Sequence, residues 1–499
     1  MFAKGLFWFR RDLRLYDNAA LHNALTHCSQ IACVFVFDEN ILGKLADKDD
    51  RRITFIWKSI LEIQEKLQKL GSDLFIFYGD PIDLIPKLSS SISAEAVFTN
   101  RDYETQALTR DEMVQAKLNE KKIQFFTSKD QIIFEASEVT KPDGKPYTVF
   151  TPFKKTWYKT LDNHEYDFLA SYPIERHLKS TGVASRLIQK EEIESIRLKL
   201  SKPGRNEPVL QVRSLSDMGF VEAKDLIVGA GSAAADEQLD SFIKTHLLSY
   251  KDQRDFPDLR ATSNLSTHLR FGTLSIRKCF RAALNIVRAQ TEPKAKENAE
   301  TWLSELIWRE FYSMILQAYP HVQEKAFKPE YQNLMWRVDE KLFQAWADGM
   351  TGYPIVDAGM RQLKQTGLMH NRVRMITASF LTKDLLIDWR KGEAHFARYL
   401  LDFDLASNNG GWQWASSTGT DAVPYFRIFN PSLQSGKFDP EAKYIKEFVP
   451  ELKNIEPAKI HKLEFSVANY PKPIIRHDEA KNAVMSLFKR TTAMKDKES

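Results

Sequence analysis

The first 130 residues alternate short apolar runs with amphipathic segments, and this alternation limits the fold more than any other feature of the sequence. Five runs are typical of β-strands, namely GLFWF, IACVFVF, DLFIFYG, EAVFTN and KIQFFTS, whereas RRITFIWKSILEIQEKLQKLG has apolar residues at helical spacing. Strands that alternate with helices form a parallel sheet covered by helices on both faces. We therefore predict a doubly wound α/β domain over residues 1–131.

Several common enzyme signatures are missing from the chain. The segment FRRDLRLYDN follows the first predicted strand and lacks both a glycine-rich phosphate turn and a Walker lysine, which disfavours ordinary dinucleotide or ATP chemistry. The sequence contains no HExxH, EF-hand loop or Cys/His cluster, so we expect no metal site. A serine hydrolase is weakly supported, because GxSxG does not occur.

The rest of the chain divides by composition into three parts. Residues 132–225 carry scattered prolines and weak periodicity, which indicates a long connection between domains. Over residues 226–475 the segments are longer, helical in period and rich in aromatic side chains, as in ETWLSELIWREFYSMILQAY. We predict an all-α second domain there and a short solvated tail over residues 476–499.

Charge and hydropathy limit the setting in which the protein works. No run approaches the roughly 18 apolar residues of a membrane span, and the N-terminus shows no secretory signal. The three cysteines have neither metal-ligand nor disulfide spacing, which fits a reducing compartment. We therefore expect a cytoplasmic monomer without membrane contact. The net charge of +5 is compatible with a polyanionic partner but does not require one.

Two segments of the helical region could carry chemistry, although each also has a purely structural explanation. The polar residues of TSNLS, at 262–266, could cap a helix or could hold a phosphate group at its first turn. In ELIWREFY, Glu305 and Trp308 share one helical face. They could be a buried Trp beside a solvated charge, or they could form the wall of a binding pocket.

Two further segments combine polar side chains with unusual neighbours. In HNRVRM, Asn371, Arg374 and Met375 share a helical neighbourhood. A buried Arg374 would need an anionic partner, for which LDFDLASNN offers Asp402 and Asp404, although the spacing does not decide between them. The stretch SNNGGWQWASSTGT sets two tryptophans among glycines and small polar residues, which a helix selected only for stability would avoid. Large aromatic residues most often belong to the core, so neither segment identifies a site alone.

Taken together, the segments resemble the photolyase/cryptochrome family, and within it the class I cyclobutane pyrimidine dimer photolyases. The resemblance runs from about residue 4 to residue 475, and the motifs follow the order of the family. It implies light-driven repair of UV-damaged DNA, in which excited reduced FAD donates an electron to the dimer and recovers it. The motifs are FWFRRDLRLYDN, TSNLSTHLRFGTLS, ELIWREFY, TGYPIVDAGMRQL, HNRVRM and NNGGWQWASSTGTDAVPYFRIFNP.

The same resemblance implies a folded FAD within the helical domain. Asn408 would face the flavin N5, and Arg374 paired with Asp402 would lie beside the ring and favour its anionic reduced form. Close relatives can carry Arg where this chain has Asn264, so one phosphate contact is expected to differ. The full set implied to contact FAD is Tyr250, Thr262, Ser263, Asn264, Leu265, Ser266, Trp302, Arg374, Asp402, Phe403, Asp404 and Asn408.

The lesion and its DNA are implied to meet a separate set of residues. Trp308 and Trp414 would be aromatic walls for the flipped dimer, and Glu305 and Asn371 would bond its edges. Met375 favours the cyclobutane substrate, because (6-4) photolyases resemble one another in having His there. The resemblance further implies two groups of residues, with phosphate contacts from Arg254, Arg372 and Arg427 and electron transfer to the flavin through Trp412, Trp389 and Trp336.

The antenna chromophore and the exact activity remain open at this level. Folate-binding relatives carry an Asn-Glu pair where this chain has Gln106 and Ala107, so methenyltetrahydrofolate, a deazaflavin, another chromophore or none could serve. A cryptochrome photoreceptor and a (6-4) photolyase are the alternatives. The short tail and the retention of Trp308, Trp414 and Met375 favour cyclobutane dimer repair.

Overall fold

A six-stranded sheet forms the N-terminal part of the computed structural model, which describes residues 1–178, 186–200 and 210–498. The strands are β1 Phe2–Phe9, β2 Cys28–Asp38, β3 Leu74–Gly79, β4 Ala96–Asn100, β5 Gln124–Ser128 and β6 Leu210–Gln211. Their order is β5-β4-β1-β2-β3-β6, and all pairs are parallel except β3 with β6. The five predicted strands are confirmed. The sixth has two residues, which are too few to show a sequence pattern.

Strand β1 lies inside the sheet and is buried on both faces. Leu6 and Trp8 join one buried cluster with Ile85, Val114 and Leu118, all of which belong to the helices that follow β3 and β4. Such two-sided burial explains why the parallel strands are continuous apolar runs in the sequence. The helices between the strands are α1 Ala19–His27, α2 Glu39–Leu42, α3 Arg51–Lys69, α4 Pro81–Ser91 and α5 Thr105–Glu120.

Helix α3 illustrates how local sequence sets these elements. The Asp50 carboxylate accepts the backbone N–H of Arg52 and caps the first turn. The buried side chains recur at helical spacing, including Ile53, Trp57 and Ile60. Gly71 follows the last turn with φ +78°, a conformation that glycine adopts without strain. The helix predicted from its apolar spacing is thus confirmed.

Helices dominate the chain beyond residue 150. The helical character predicted for residues 226–475 is confirmed, whereas the helices within residues 150–200 lie in the predicted connector and were not expected. A five-residue π-helix, Phe380–Asp384, directly follows the helix Asn371–Ser379. The helices are α6 Phe150–Leu169, α7 Glu175–Leu178, α8 Lys190–Leu200, α9 Gly231–Thr245, α10 Tyr250–Gln253, α11 Ser266–Phe271, α12 Ile276–Ala289, α13 Pro293–Ala318, α14 Glu340–Ala347, α15 Pro354–Thr366, α16 Asn371–Ser379, α17 Trp389–Tyr399, α18 Leu405–Ser416, α19 Pro431–Phe438, α20 Lys443–Phe448, α21 Pro457–Lys462 and α22 His477–Glu498. Within the described ranges, every helix falls short of the length or the apolar character that crossing a bilayer requires.

Two compact units share the chain, and each is built from three separate segments. The first unit comprises Met1–Glu135, Lys159–Lys244 and Ser263–Asn285, and it contains the sheet. The second comprises Ala136–Tyr158, Thr245–Thr262 and Ile286–Ser499. Residues of the predicted connector therefore occur in both units. The linear domain boundaries given above stay a prediction.

The C-terminal segment is ordered differently from the expected solvated tail. It forms α22, whose Val484 and Phe488 are buried in a cluster with Leu334 and Leu386. These two apolar residues are four positions apart, so they lie on one helical face and can pack together against Leu334 and Leu386 of the same unit. The weak apolar pattern among many charged residues explains why the sequence did not reveal this helix.

Candidate active site

Helix α13 carries three of the residues implied by the resemblance, and an aromatic ring from α6 supports one of them. Trp302 is buried, whereas Glu305 and Trp308 are half-buried. Phe150, at the start of α6, stacks on Trp308 with ring centroids 3.6 Å apart and planes 8° apart. Phe150 itself is buried, and the Asp421 carboxylate accepts its backbone N–H at 3.1 Å. One face of the Trp308 indole is therefore covered by the protein.

Helices α13 and α18 approach closely next to the two predicted lesion walls. A Cβ on Gly410 would lie 2.1 Å from Cδ1 of Tyr312, so the α18 backbone rests directly on that ring. Trp308 lies one turn before Tyr312, and Trp414 lies one turn after Gly410, on the same helical faces. Trp414 is half-buried and contacts Phe429.

A chain of four charged side chains begins at Glu305. Arg254 donates a hydrogen bond from Nη1 to Oε1 of Glu305, and its Nε lies 3.8 Å from Oδ1 of Asp255. The same Asp255 oxygen lies 2.8 Å from Nη2 of Arg372. The Arg372 guanidinium also lies 4.4 Å above the ring of Phe438. Two predicted phosphate-binding arginines and the predicted catalytic glutamate thus share one electrically balanced cluster.

The first turn of α16 places Asn371 beside Met375. His370 is the N-cap, and its Nδ1 accepts the backbone N–H of Arg372 at 3.2 Å. Burial lowers the pKa of His370 to about 4, so the ring is neutral at pH 7 and can accept this bond. The Asn371 amide nitrogen lies 4.0 Å from the Met375 sulfur, one turn further along. Asn371 is exposed, as a residue that binds a ligand edge must be.

The ion pair anticipated between Arg374 and Asp402 is present. Nη2 of Arg374 donates to both carboxylate oxygens of Asp402, at 2.8 and 3.1 Å, and Nε donates to the carbonyl of Met369 at 2.8 Å. The Asp402 side chain is 4% exposed and that of Arg374 is 28% exposed. The carboxylate is therefore enclosed, while part of the guanidinium can still face a ligand.

Helix α18 begins with residues that the resemblance assigns to the flavin. Asp404 is its N-cap and accepts the backbone N–H of Ser407 at 3.1 Å, and the neighbouring Phe403 is half-buried. The Asn408 amide nitrogen donates to Oε1 of Glu393 at 2.8 Å. Burial raises the pKa of Glu393, and the bond from Asn408 opposes that rise. Since the Asn408 amide nitrogen donates to Glu393, the amide oxygen of Asn408 points away from Glu393.

The three tryptophans of the predicted electron-transfer chain belong to one apolar cluster. Trp412 and Trp389 are buried within it, and the half-buried Trp336 packs against it. Gly392 of α17 makes room for the Trp412 indole, because a Cβ there would lie 2.1 Å from Cη2 of that ring. Trp389 lies one turn before Gly392 on the same helix. Burial thus decreases from Trp412 and Trp389 to Trp336.

The remaining predicted residues are placed as follows. Tyr250 is buried beneath the Arg254 guanidinium, 5.5 Å from its ring centroid, and burial raises the pKa of its hydroxyl. Arg427 is exposed in the loop between α18 and α19, where its backbone N–H donates to the carbonyl of Pro424. Thr262 ends a segment of the second unit, whereas Ser263, Asn264, Leu265 and Ser266 begin a segment of the first.

The TSNLS segment does not behave as a simple helix cap. Helix α11 starts at Ser266, and its N-cap is Leu265, whose side chain cannot accept a hydrogen bond. Asn264 adopts φ +52°, which non-glycine residues rarely do and which Asn tolerates better than most. The structural explanation considered for the Thr and Ser hydroxyls, a side-chain cap, is therefore not what this helix uses.

Two family models match parts of the chain. A family model of DNA photolyase matches residues 5–171, and one of the FAD binding domain of DNA photolyase matches residues 302–490. The chain belongs to the DNA photolyase family. The match includes the five parallel strands of the sheet, without β6, and most helices of the second unit.

Curated relatives of this photolyase match it along nearly their whole length. The deoxyribodipyrimidine photo-lyase of Synechococcus sp. is 38% identical over 498 residues, which is 99% of this chain and 98% of the relative. The deoxyribodipyrimidine photo-lyase of Halobacterium salinarum is 37% identical over 504 residues, which is 97% of this chain and 98% of the relative.

Solved structures agree with the family assignment. A bacterial class III photolyase from Agrobacterium tumefaciens matches with a TM-score of 0.82 and 33% identity, covering 99% of this chain and 98% of that one. An archaeal photolyase from Sulfolobus tokodaii with two FAD molecules matches with a TM-score of 0.77 and 32% identity, covering 98% of this chain and 100% of that one. A cryptochrome from Synechocystis sp. matches with a TM-score of 0.80 and 26% identity, covering 97% of this chain and 99% of that one. The same backbone is therefore found in both branches of the family.

The second unit of the photolyase has a donor set that fits FAD. Arg374 offers a fixed positive charge whose own counterion, Asp402, is enclosed. Asn408 offers an amide whose orientation is set by Glu393, and Trp302 offers a buried aromatic surface. A cation, an oriented amide and an aromatic wall are suited to a planar, anionic heterocycle. These residues lie in the part of the chain that matches the FAD-binding domain.

Three residues next to the predicted site were missed by the sequence reasoning. Asp255 joins two arginines, Phe150 stacks on Trp308 and Glu393 holds Asn408. Asp255 directly follows Arg254 in the sequence and could have been noticed as its neighbour. Phe150 lies 158 positions before Trp308, and no local pattern links the two.

Proposed function

We propose that this photolyase repairs cyclobutane pyrimidine dimers in DNA with light as the source of energy. The proposal rests on the combination of Glu305, Trp308, Asn371 and Met375 on α13 and α16, within the match to the FAD-binding domain. Relatives of nearly equal length named deoxyribodipyrimidine photo-lyase support it.

Aromatic stacking by Trp308 and Trp414 would receive the damaged bases. A dimer inside a duplex cannot reach a buried cofactor, so it must be flipped out, which costs a few kcal/mol and less for a poorly stacked lesion. Stacking on an aromatic side chain returns about 1–3 kcal/mol per base. Phe150 covers one face of Trp308, so a flipped base would use the opposite face.

Hydrogen bonds from Glu305 and Asn371 would orient the dimer. A carboxylate accepts from a pyrimidine N–H, and an exposed amide donates to a pyrimidine carbonyl. Met375 cannot donate a proton, unlike the His expected at this position in (6-4) photolyases. A site without that proton donor fits a cyclobutane dimer, whose ring is opened by electron transfer alone. FAD, when bound in its reduced form and excited by light, supplies that electron to the cyclobutane ring and recovers it.

The remaining site residues would serve the cofactor and the DNA backbone. Arg374 would keep its positive charge beside the flavin, and Asn408 would turn its carbonyl oxygen toward it. Trp412, Trp389 and Trp336 would pass electrons inward from the surface before repair starts. Phosphates would be bound by side chains that read no sequence, namely Arg254, Arg372 and Arg427.

A repair assay under illumination tests the proposal. We expect the reduced protein to convert an oligonucleotide with one cyclobutane dimer to intact pyrimidines in blue light and not in darkness. A matched oligonucleotide with a (6-4) lesion should stay unchanged, as Met375 indicates. Failure to restore pyrimidines while the flavin still undergoes normal photoreduction would refute repair and favour the cryptochrome alternative.

Two further properties belong to the same proposal. We expect a monomer that works in the cytoplasm, which light scattering and cell fractionation would test. The antenna is addressed by extracting the purified protein, because methenyltetrahydrofolate, a deazaflavin and a second FAD have different absorption spectra. Gln106 and Ala107 lie on α5, where folate-binding relatives are expected to carry a carboxylate.

A further inference from the structure

We propose that Arg254 couples phosphate binding to lesion recognition by exchanging one anion for another. In the structure it is bonded to Glu305. We infer that a DNA phosphate takes the place of Glu305 on Arg254, and that the released carboxylate then bonds the flipped dimer. The inference rests on the proposed repair function. It adds that the contact between Arg254 and phosphate and the contact between Glu305 and the dimer depend on each other.

The geometry shows a guanidinium that is held from several sides. Glu305 bonds Nη1 of Arg254, Asp255 faces its Nε at 3.8 Å, and the ring of Tyr250 lies 5.5 Å away. The side chains are 22% exposed in Arg254 and 31% exposed in Glu305. Both are therefore partly desolvated, and a phosphate that approaches Arg254 must compete with a carboxylate already in place.

The competition has a different outcome for undamaged and damaged DNA. If a phosphate of undamaged DNA displaces Glu305, a partly buried carboxylate loses its counterion and gains nothing, which opposes binding. If a dimer enters the pocket, its ring N–H donates to the same carboxylate, so the exchange leaves no charge without a partner. The Arg254–Glu305 pair thereby penalises undamaged DNA, and specificity follows from the difference between the two affinities.

Asp255 acts in this exchange as a positioning residue. Its Oδ1 bonds Arg372 at 2.8 Å and also faces Arg254, so it fixes the separation of two cations that would otherwise repel each other. Phe438 supports the Arg372 guanidinium from below at 4.4 Å. With Asp255 in place, Arg372 is already neutralised, and its contribution to DNA binding is limited.

Dark binding to a dimer oligonucleotide and to its undamaged counterpart tests the exchange. We expect Glu305→Gln to raise the affinity for undamaged DNA about threefold, because the penalty is removed, and to lower that for dimer DNA about tenfold. In the Arg254→Gln background, Glu305→Gln should no longer raise the affinity for undamaged DNA. Asp252→Asn provides the matched control. It removes a carboxylate from α10, the short helix that ends directly before Arg254, but that carboxylate pairs with Lys294 at 3.1 Å.

The outcomes separate the exchange from a simple effect of charge. Equal gains from Glu305→Gln and Asp252→Asn that persist in the Arg254→Gln background would overturn the exchange and leave repair intact. A wild-type protein that does not prefer dimer DNA would overturn repair and the exchange together.

For Asp255→Asn, we expect the slope of log affinity against log salt to steepen by about one, as Arg372 gains a phosphate. An unchanged slope would refute the role assigned to Asp255.

Discussion

Phe150 stacks face to face on Trp308, 158 positions further along the chain, with 3.6 Å between the ring centroids. The stack fixes the plane of the indole on which the proposed substrate would rest. We expect Phe150→Leu to weaken binding of dimer DNA three- to tenfold, because an aromatic pair contributes about 0.5–1.5 kcal/mol beyond its buried area. Fluorescence anisotropy with a dimer oligonucleotide measures this, and light-driven flavin reduction should stay unchanged.

Phe153 provides the matched control for that substitution. It lies one turn further along α6, is buried, and packs against Phe311 at 5.3 Å. We expect Phe153→Leu to lower the melting temperature about as much as Phe150→Leu, and to leave the affinity for dimer DNA unchanged. Equal losses of affinity in the two variants would contradict a specific role for the Phe150 stack.

Gly392 and Trp412 make a second contact that a single methyl group would disturb. An Ala side chain at 392 would place Cβ 2.1 Å from Cη2 and 2.4 Å from Cζ3 of the indole. We expect Gly392→Ala to destabilise the fold by about 1–3 kcal/mol through overpacking. The displaced indole should also slow light-driven flavin reduction, which absorbance under illumination follows.

In contrast to Gly392→Ala, an Ala substitution at Gly411, on the neighbouring helix α18, should stabilise the protein. A Cβ there would meet no atom within 4 Å, and the residue lies inside α18. Gly411→Ala should therefore stabilise the protein by about 0.5–1 kcal/mol and leave flavin reduction unaffected. If Gly392→Ala were as stable as Gly411→Ala in urea, the close packing of Trp412 would be refuted.

The sequence predicts the parts of this molecule that have a local pattern. Five strands and the helical second part could be anticipated from apolar periodicity, whereas the Arg374–Asp402 pair was implied by the family resemblance, because spacing alone left Asp402 and Asp404 as alternatives. The Arg254–Glu305 bond joins residues 51 positions apart, and no pattern in either sequence segment indicates the other residue as its partner. Helix α22 was missed because its buried residues, Val484 and Phe488, are few among many charges.

Trp389→Phe separates electron supply from repair. Trp389 is buried in the same apolar cluster as Trp412, and the half-buried Trp336 packs against that cluster. Phe is much harder to oxidise than Trp but fills a similar volume, so the fold should be retained. We expect slower photoreduction of oxidised flavin and nearly normal dimer repair by chemically reduced protein. Equal loss of both activities would count against the predicted electron-transfer role.

The contact between α22 and the π-helix should weaken as pH rises. Nδ1 of His477 lies 2.5 Å from Oδ1 of Asp384, and this bond, together with the charge of Asp384, raises the pKa of His477 above 6.5. Burial raises the pKa of Asp384 to about 6. The folded pair therefore retains protons that the unfolded chain has released. Its contribution to stability is complete at low pH and is lost as pH rises through these folded pKa values.

The melting temperature of wild type and of His477→Gln, measured from pH 6 to pH 9, checks this expectation. Glutamine can still donate a hydrogen bond to Asp384 but does not titrate, so titrating groups outside the His477–Asp384 pair contribute equally to both proteins. We expect the advantage of the wild type to be largest at pH 6 and to shrink toward pH 9, since a neutral His477 no longer compensates the buried carboxylate. A difference between the two proteins that stayed constant over this range would show that the pair does not carry the proton.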